Sequence, residues 1–341
     1  DCLLSRGLGD VYKRQGQYLA GATAPEDPEA LLPGSQDALA RPPFVSAEGA
    51  LFELETLDSH PWKRFWNALG VSDAVAGRAW QRFLLRYARA VAPMPAECLD
   101  ALAALPLEQI RLIAAESGVA LVPVRGLVQR RADADHAASE AGPWQLQRGK
   151  PGAPSRKSTP DRLPLQGIRV LESCRRIQGP LAGHLLSLLG AEVIRLEPPG
   201  GDPLRNMPPC ADGCSVRFDA LNHLKDVREV DIKSAAGRAE IHELCRDADV
   251  FLHNWAPGKA AELQLDAADL HATRPSLIHA YAGGWGDARV DAPGTDFTVQ
   301  AWSGVASRIA SASGTRGGTL FTALDVLGGV ISAQGICAAL L

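Results

Sequence analysis

One carboxylate, Asp325, stands in an otherwise uncharged run, "FTALDVLGGVISAQGICAALL", from Phe321 to Leu341. Burying an ionised carboxylate is costly unless something pairs with it, so its place needs a reason. Two reasons fit. An oxygen acceptor at this position would cap the helix that the small and apolar residues after it predict. Alternatively, Asp325 is a nucleophile held at a helix start, where Gly328 and Gly329 let a substrate come close. Other reactive side chains offer less. Of eight histidines, His184, His223, His253 and His279 fall in the expected ligand region, but none forms an HxH or HxxxH pair, so no metal site is expected. Cys210 and Cys214 make a lone CxxxC among seven cysteines, which fits ordinary thiols in a reduced, cytoplasmic chain rather than zinc or a disulfide framework.

The elements that must position such an aspartate are legible after residue 163. "GIRVLES" (167–173) is a strand pattern, "GPLAGHLLSLLGA" (179–191) a helix with proline in its first turn, and "AEVIRLEPP" (191–199) a second strand. Strand, helix and strand make a βαβ unit, which requires a parallel sheet with helices on its faces. "REVDIK" (228–233), "ADVFLHN" (248–254) and "PSLIHAYAGG" (275–284) read as further strands, with the helix "SAAGRAEIHELCRDA" after the first of them. The expected fold is an α/β, Rossmann-like doubly wound parallel sheet. Before it, "LFELETL" (51–57) alternates like a strand, and "HPWKRFWNALGV" carries Trp62, Phe65, Trp66 and Leu69 at helical spacing before Gly70. Helical patterns over 79–91 and 96–117 and the edge-strand run "VALVPV" complete a small α/β domain over 16–140. The Pro-, Gly- and charge-rich text up to residue 162 predicts a linker over 141–162, leaving 163–341 as the large domain. The opening "DCLLSRGLGDVYKRQ" resembles adapter read-through and is set aside from fold reasoning, and the close inside an apolar helical pattern predicts a fragment of a longer protein.

A formal net charge of -4 and an isoelectric point near 6.1 leave no electrostatic footprint for nucleic acid. The closing run approaches the length of a bilayer span, but Asp325 and Gln334 inside it favour a core helix, so no membrane partner is expected. A dinucleotide-dependent oxidoreductase would need the GxGxxG turn. The first turn reads "CRRIQGPLAG" instead, with glycines at 179 and 183. Glu197, at the end of the second strand, is the residue that would bond a ribose in that reading.

Six segments in order resemble the class III CoA-transferases (CaiB/BaiF), a family that includes formyl-CoA transferase and alpha-methylacyl-CoA racemase. They are "LPLQGIRVLE", "GPLAGHLLSLLGAEVIRLEPPGGDPLR", "LNHLKDVREVDIKSAAGR", "ADVFLHNWAPG", "GTDFTVQAWSGVA" and "TALDVLGG", spread over residues 163–341. Within 51–136, "WKRFWNALGV", "RFLLRYA" and "ESGVALVPVRGLV" are similar to the family's small-domain section, which normally follows the large domain; a fused or tandem protein would explain the order. The resemblance implies that Asp325 is the catalytic aspartate. It would attack an acyl-CoA thioester to give a mixed anhydride, then an aspartyl-CoA thioester from which an acceptor acid takes CoA. Backbone N–H groups near Gly328 and Gly329 would face the oxyanion. The resemblance also puts Gln178, Gly179, Pro180 and Trp285 at coenzyme A. Asn254 belongs to the loop after a parallel strand, the usual ligand edge of such a sheet, and Arg195 and Arg205 flank the second strand's end, where the CoA phosphates would want guanidinium partners. No tightly bound cofactor is implied, only CoA and acyl-CoA as substrates, and the assembly implied is a homodimer or an intramolecular pseudo-dimer.

Departures from the family pattern narrow this. Thr295 stands where the racemase branch carries histidine, so a two-base proton swap is disfavoured and transfer preferred. Asp226, Ala256 and Glu262 lie at or near positions where the family carries cations, which leaves a non-catalytic copy as the competing reading.

Overall fold

The structure is a computed structural model that describes residues 42–86, 93–133, 142–149, 163–207, 210–285, 292–313 and 323–341. The expected artefact at 1–15 and residues 150–162 of the expected linker lie outside the described residues. Those described fall into two compact units, each entered twice by the chain. One holds those within Ala22–Glu140 and Gly284–Leu324, the other those within Ala141–Gly283 and Asp325–Leu341.

The first unit opens with β1 (Phe44–Val45) and β2 (Leu51–Glu55), then α1 (Ser59–Ala68), α2 (Asp73–Leu85), α3 (Ala96–Ala103) and α4 (Leu107–Ser117), then β3 (Ala120–Pro123) and α5 (Leu127–Arg131). Its sheet is antiparallel in the order β1-β2-β3, so the proline-bearing strand is at an edge as expected. Trp62, Phe65 and Trp66 are fully buried against Phe44, Phe83 and Leu102. Two helix expectations need correction. The 96–117 pattern is two helices, broken where Leu105 precedes Pro106, because the ring disfavours helical backbone before it and has no N–H to donate. Helix α2 begins six residues ahead of position 79 because Ser72 accepts from the Val75 N–H; residues 87–91 of that pattern lie outside the described residues.

The second unit carries β4 (Arg169–Ser173), α6 (Gln178–Leu188), β5 (Glu192–Glu197), the short hairpin β6 (Cys210–Ala211) and β7 (Cys214–Ser215), and α7 (Val216–Asn222). It continues through β8 (Asp226–Glu229), α8 (Ala235–Cys245), β9 (Val250–His253), α9 (Lys259–Glu262), α10 (Ala267–Thr273) and β10 (Ile278–Tyr281). Five strands form one all-parallel sheet in the order β8-β5-β4-β9-β10. In chain order that is third, second, first, fourth, fifth, the doubly wound arrangement expected, with its topological switch between β4 and β9. Val170, Val193, Val250 and Leu252 face Ala182 and Leu186 of α6, while Leu171, Leu196 and Phe251 face Ile241 and Cys245 of α8 and Leu270 of α10. The strand expected at 228–233 is shifted: pairing runs from Asp226 opposite Ile194 to Glu229 opposite Glu197, and the chain then turns into the Ser234 cap of α8.

After β10 come α11 (Asp296–Ser303) and α12 (Val305–Ser313), and the chain closes with α13 (Ala323–Leu340). The first two belong with the opening unit, not with the parallel sheet as the 163–341 boundary predicted. Thr295 donates to Glu55 (2.7 Å), the Arg125 N–H to the Ala301 carbonyl (2.9 Å), and Arg86 stacks on Phe297. Helix α13 rejoins the second unit through Gly329, Ala333, Gly335 and Ile336. It is long and apolar enough to cross a membrane by length and composition alone, yet only 17% of it is buried, far less than the core helix expected. A single stripe is covered among the described residues, and Leu327 and Val330 face outward.

Candidate functional site

Asp325 is the third residue of α13, inside its first turn rather than at the cap, and it is half-buried. A carboxylate there sits at the positive end of the helix dipole. Gly328 and Gly329 lie one turn further along the same face. They do not open a path for substrate. A methyl at Gly329 would lie 2.8 Å from the Gln178 carbonyl oxygen and 2.9 Å from Leu181 Cβ, and one at Gly328 would strike the Gln178 amide. These glycines let α13 settle directly on the first turn of α6. Nor do their N–H groups fit the oxyanion role implied by resemblance, because in a helix starting at Ala323 they point to the carbonyls of residues 324 and 325.

The first turn of α6 follows the switch-point loop after β4. Gly179 packs against the Cys174 sulfur and the Asn254 amide, and the Pro180 carbonyl accepts from Lys225 Nζ (2.8 Å). Both residues are buried in this packing. Burial also pushes the Cys174 thiol well above its ordinary range, which keeps it protonated and unreactive. Asn254, on the loop after β9, accepts from the Arg175 N–H (3.0 Å) and donates to the Arg175 carbonyl (2.8 Å). Its amide therefore bridges the two loops at the switch point. Gln178 is half-buried over the glycines of α13, the one predicted CoA contact that the fold brings beside Asp325.

The two predicted phosphate partners depart from expectation. Arg195 is 1% exposed and spends its guanidinium on Glu172 (2.7 Å), Glu197 (3.1 Å) and Asp202 (2.6 Å). Burial opposes its charge, but those carboxylates outweigh it and hold the pKa above the ordinary value. Lys225, also buried, completes the cluster through Glu172 (2.7 Å) and Asn222 (3.0 Å). Arg205 chelates Glu197 (2.9 and 2.7 Å) and lies over the Phe218 ring, with a third of its side chain exposed. Three cations thus balance three carboxylates within the fold, which is where Arg195 acts. Glu197, the ribose candidate of the oxidoreductase reading, is spent in the same cluster. Trp285 falls in the other unit, with its ring edge-on to Trp302 and its N–H donated to the Ala292 carbonyl (2.7 Å).

Over residues 165–341, slightly more than half the chain, the sequence matches CoA-transferase family III. The chain belongs to this family. It is 33% identical over 183 residues to the probable fatty acyl-CoA transferase Rv3272 of Mycobacterium tuberculosis, covering 52% of this chain and 46% of the relative. It is 35% identical over 188 residues to the succinate–glutarate CoA-transferase of Agrobacterium fabrum, covering 52% of this chain and 47% of the relative. The chain thus spans about half the length of these curated relatives. A crystal structure of Rv3272 aligns over 52% of this chain and 51% of its own, at 30% identity and a TM-score of 0.45.

Within this CoA-transferase unit, sequence reasoning passed over Arg175 and Arg176. Both are exposed in the loop between β4 and α6, and Arg176 adopts φ +66°. No side chain caps α6, so its first N–H groups and these two cations share one end of the helix. The signal is the "RR" of "CRRIQGP", immediately ahead of the helix that follows the first parallel strand.

Proposed function

We propose that this chain is the nucleophile-bearing part of a transferase that moves CoA from an acyl-CoA to a carboxylic acid. The observation that carries the reading is Asp325 in the first turn of α13, on the face that packs against the start of α6 beside the sheet's switch point. Its carboxylate attacks the thioester carbonyl, and the carbon–sulfur bond breaks to leave an acyl-aspartyl anhydride and CoA thiolate. The thiolate attacks the aspartyl carbonyl, which releases the donor acid and forms aspartyl-CoA. An acceptor carboxylate then repeats the two steps in reverse and regenerates Asp325. Covalent catalysis of this kind divides one hard transfer into easier ones and needs no redox or metal chemistry from the protein. The names of the two relatives, one for fatty acyl-CoA and one for succinate and glutarate, support a thioester and an acid as the substrate pair. CoA is a substrate here, not a resident cofactor. In this reading the exposed Arg175, clamped by Asn254, meets CoA phosphate in place of Arg195.

The assembly is a homodimer or a pseudo-dimer within a fused chain, and the setting is cytoplasmic, consistent with free thiols at Cys98, Cys174, Cys210, Cys214, Cys245 and Cys337. A second reading, a non-catalytic copy in a fused protein, is favoured by Asp226 and by Glu262, which binds Lys259 (2.5 Å). Turnover separates the two. With succinyl-CoA and a panel of carboxylic acids, the protein should form new thioesters, and Asp325→Asn should lose at least about a hundredfold of that rate. Full activity in Asp325→Asn removes the nucleophile; CoA retention without turnover by the unaltered protein favours the non-catalytic copy.

A further inference from the structure

We infer that Lys225 is a positioning residue for Asp325, acting through the first turn of α6. The inference deepens the transferase reading and rests on it for its kinetic arm. Lys225 is buried on α7's exit, far in sequence from the nucleophile, yet its ammonium takes three partners: Glu172 of β4, Asn222 of α7 and the main-chain carbonyl of Pro180. The last is unusual. A buried ammonium that bonds a carbonyl in a helix's first turn fixes the backbone of that turn, not merely a side chain. On its opposite side the same turn presents the Gln178 carbonyl and Leu181 to Gly329, and the Gln178 amide to Gly328, one helical turn from Asp325. The path therefore runs from β4 through Glu172 and Lys225 to Pro180, then from Gln178 to the Asp325 turn.

The space is closed along this path. A methyl at Gly183 would collide with the Glu172 carboxylate, so α6 lies directly on the ion pair. Burial pushes the Lys225 pKa below its ordinary value, and the Glu172 carboxylate at 2.7 Å opposes that shift. If the tether is lost, the turn relaxes towards the strand or away from it, and Gln178 no longer meets α13 in the same place. Displacement by about 1 Å of groups that hold reacting atoms costs on the order of a hundredfold in rate.

A purely structural ion pair would destabilise the fold when broken and do nothing more. Two variants separate that from positioning. Lys225→Met leaves Glu172 unpaired on one side; Glu172→Gln combined with Lys225→Met removes both charges and leaves Arg195 and Arg205 balanced by Glu197 and Asp202. Unfolding in urea should show the double variant recovering most of the stability that the single variant loses. Hydrogen–deuterium exchange should nonetheless show peptides covering 178–184 and 323–330 exchanging faster by about tenfold in both variants. Exchange of labelled succinate into succinyl-CoA should fall by at least about tenfold in kcat in both, with KM changed less than threefold. Recovery of exchange protection in the double variant, along with its stability, overturns the inference. So does unchanged protection at 323–330. If the unaltered protein forms no thioester with any acid of the panel, the transferase reading fails, and deuterium exchange alone decides the positioning role.

Discussion

Asp325 and His253 show how different two buried-edge titratable groups can be. Asp325 sits half-buried in the first turn of α13. His253, at the C-terminal end of β9, is packed between Trp255, Tyr281 and His279, and its Nε2 has no hydrogen-bond partner. Burial and then the neighbouring His279 push its pKa from 6.5 down to about 3. The folded protein keeps this imidazole neutral while the unfolded chain protonates it below 6.5, so its contribution to stability is present above that value and is lost as the pH falls towards about 3. His253→Phe should therefore flatten the fall in the urea midpoint between pH 6.5 and 4 relative to the unaltered protein. Identical slopes for the two would remove His253 as the source. Asp325 was legible because one charge among twenty uncharged residues is conspicuous. His253 was visible only as one of four scattered histidines, since its burial depends on strand β10 beside it.

At the level of elements, the ion cluster behind α6 has the largest effect on how the site is held. Arg195 meets three carboxylates drawn from β4, β5 and the turn at Asp202. Arg195→Met leaves them with too little positive charge inside the fold and should cost about 3–5 kcal/mol, measured by urea unfolding at neutral pH. A loss below about 1 kcal/mol would mean the guanidinium acts at the surface, as an exposed ion pair does. The strands themselves were readable from short stretches of Val, Ile, Leu and Phe bounded by turn residues. "RVLES", "EVIRLE" and "VFLH" all fall within the expected segments. The cluster was not readable, because Glu172 lies 23 residues before Arg195, and an arginine in a strand looks the same whether its face meets solvent or carboxylates. The two glycines of α13 misled in a related way: spacing marks close approach, but only the packed helix shows that the approaching group is α6.

The whole molecule is two units interleaved along one chain, and this was the hardest feature to read. Residues 296–313 follow the parallel sheet in sequence and carry part of the family's motif, yet they pack with Glu55, Arg86 and Arg125 of the first unit. Nothing local announces this; the contacts span up to 240 residues. The α/β class, by contrast, needed only the strand–helix alternation, whereas the switch lies where the chain passes from β8 to β9, strands that are not neighbours in the sheet. In the transferase reading, Asp325 forms a covalent acyl or CoA link in the course of transfer. The most direct measurement is to incubate the protein with succinyl-CoA, quench with hydroxylamine, digest, and read the mass of the peptide that contains Asp325. A hydroxamate is expected on that aspartate, absent from Asp325→Asn and from protein given no thioester. Turnover of succinyl-CoA with an unmodified Asp325 peptide would contradict it.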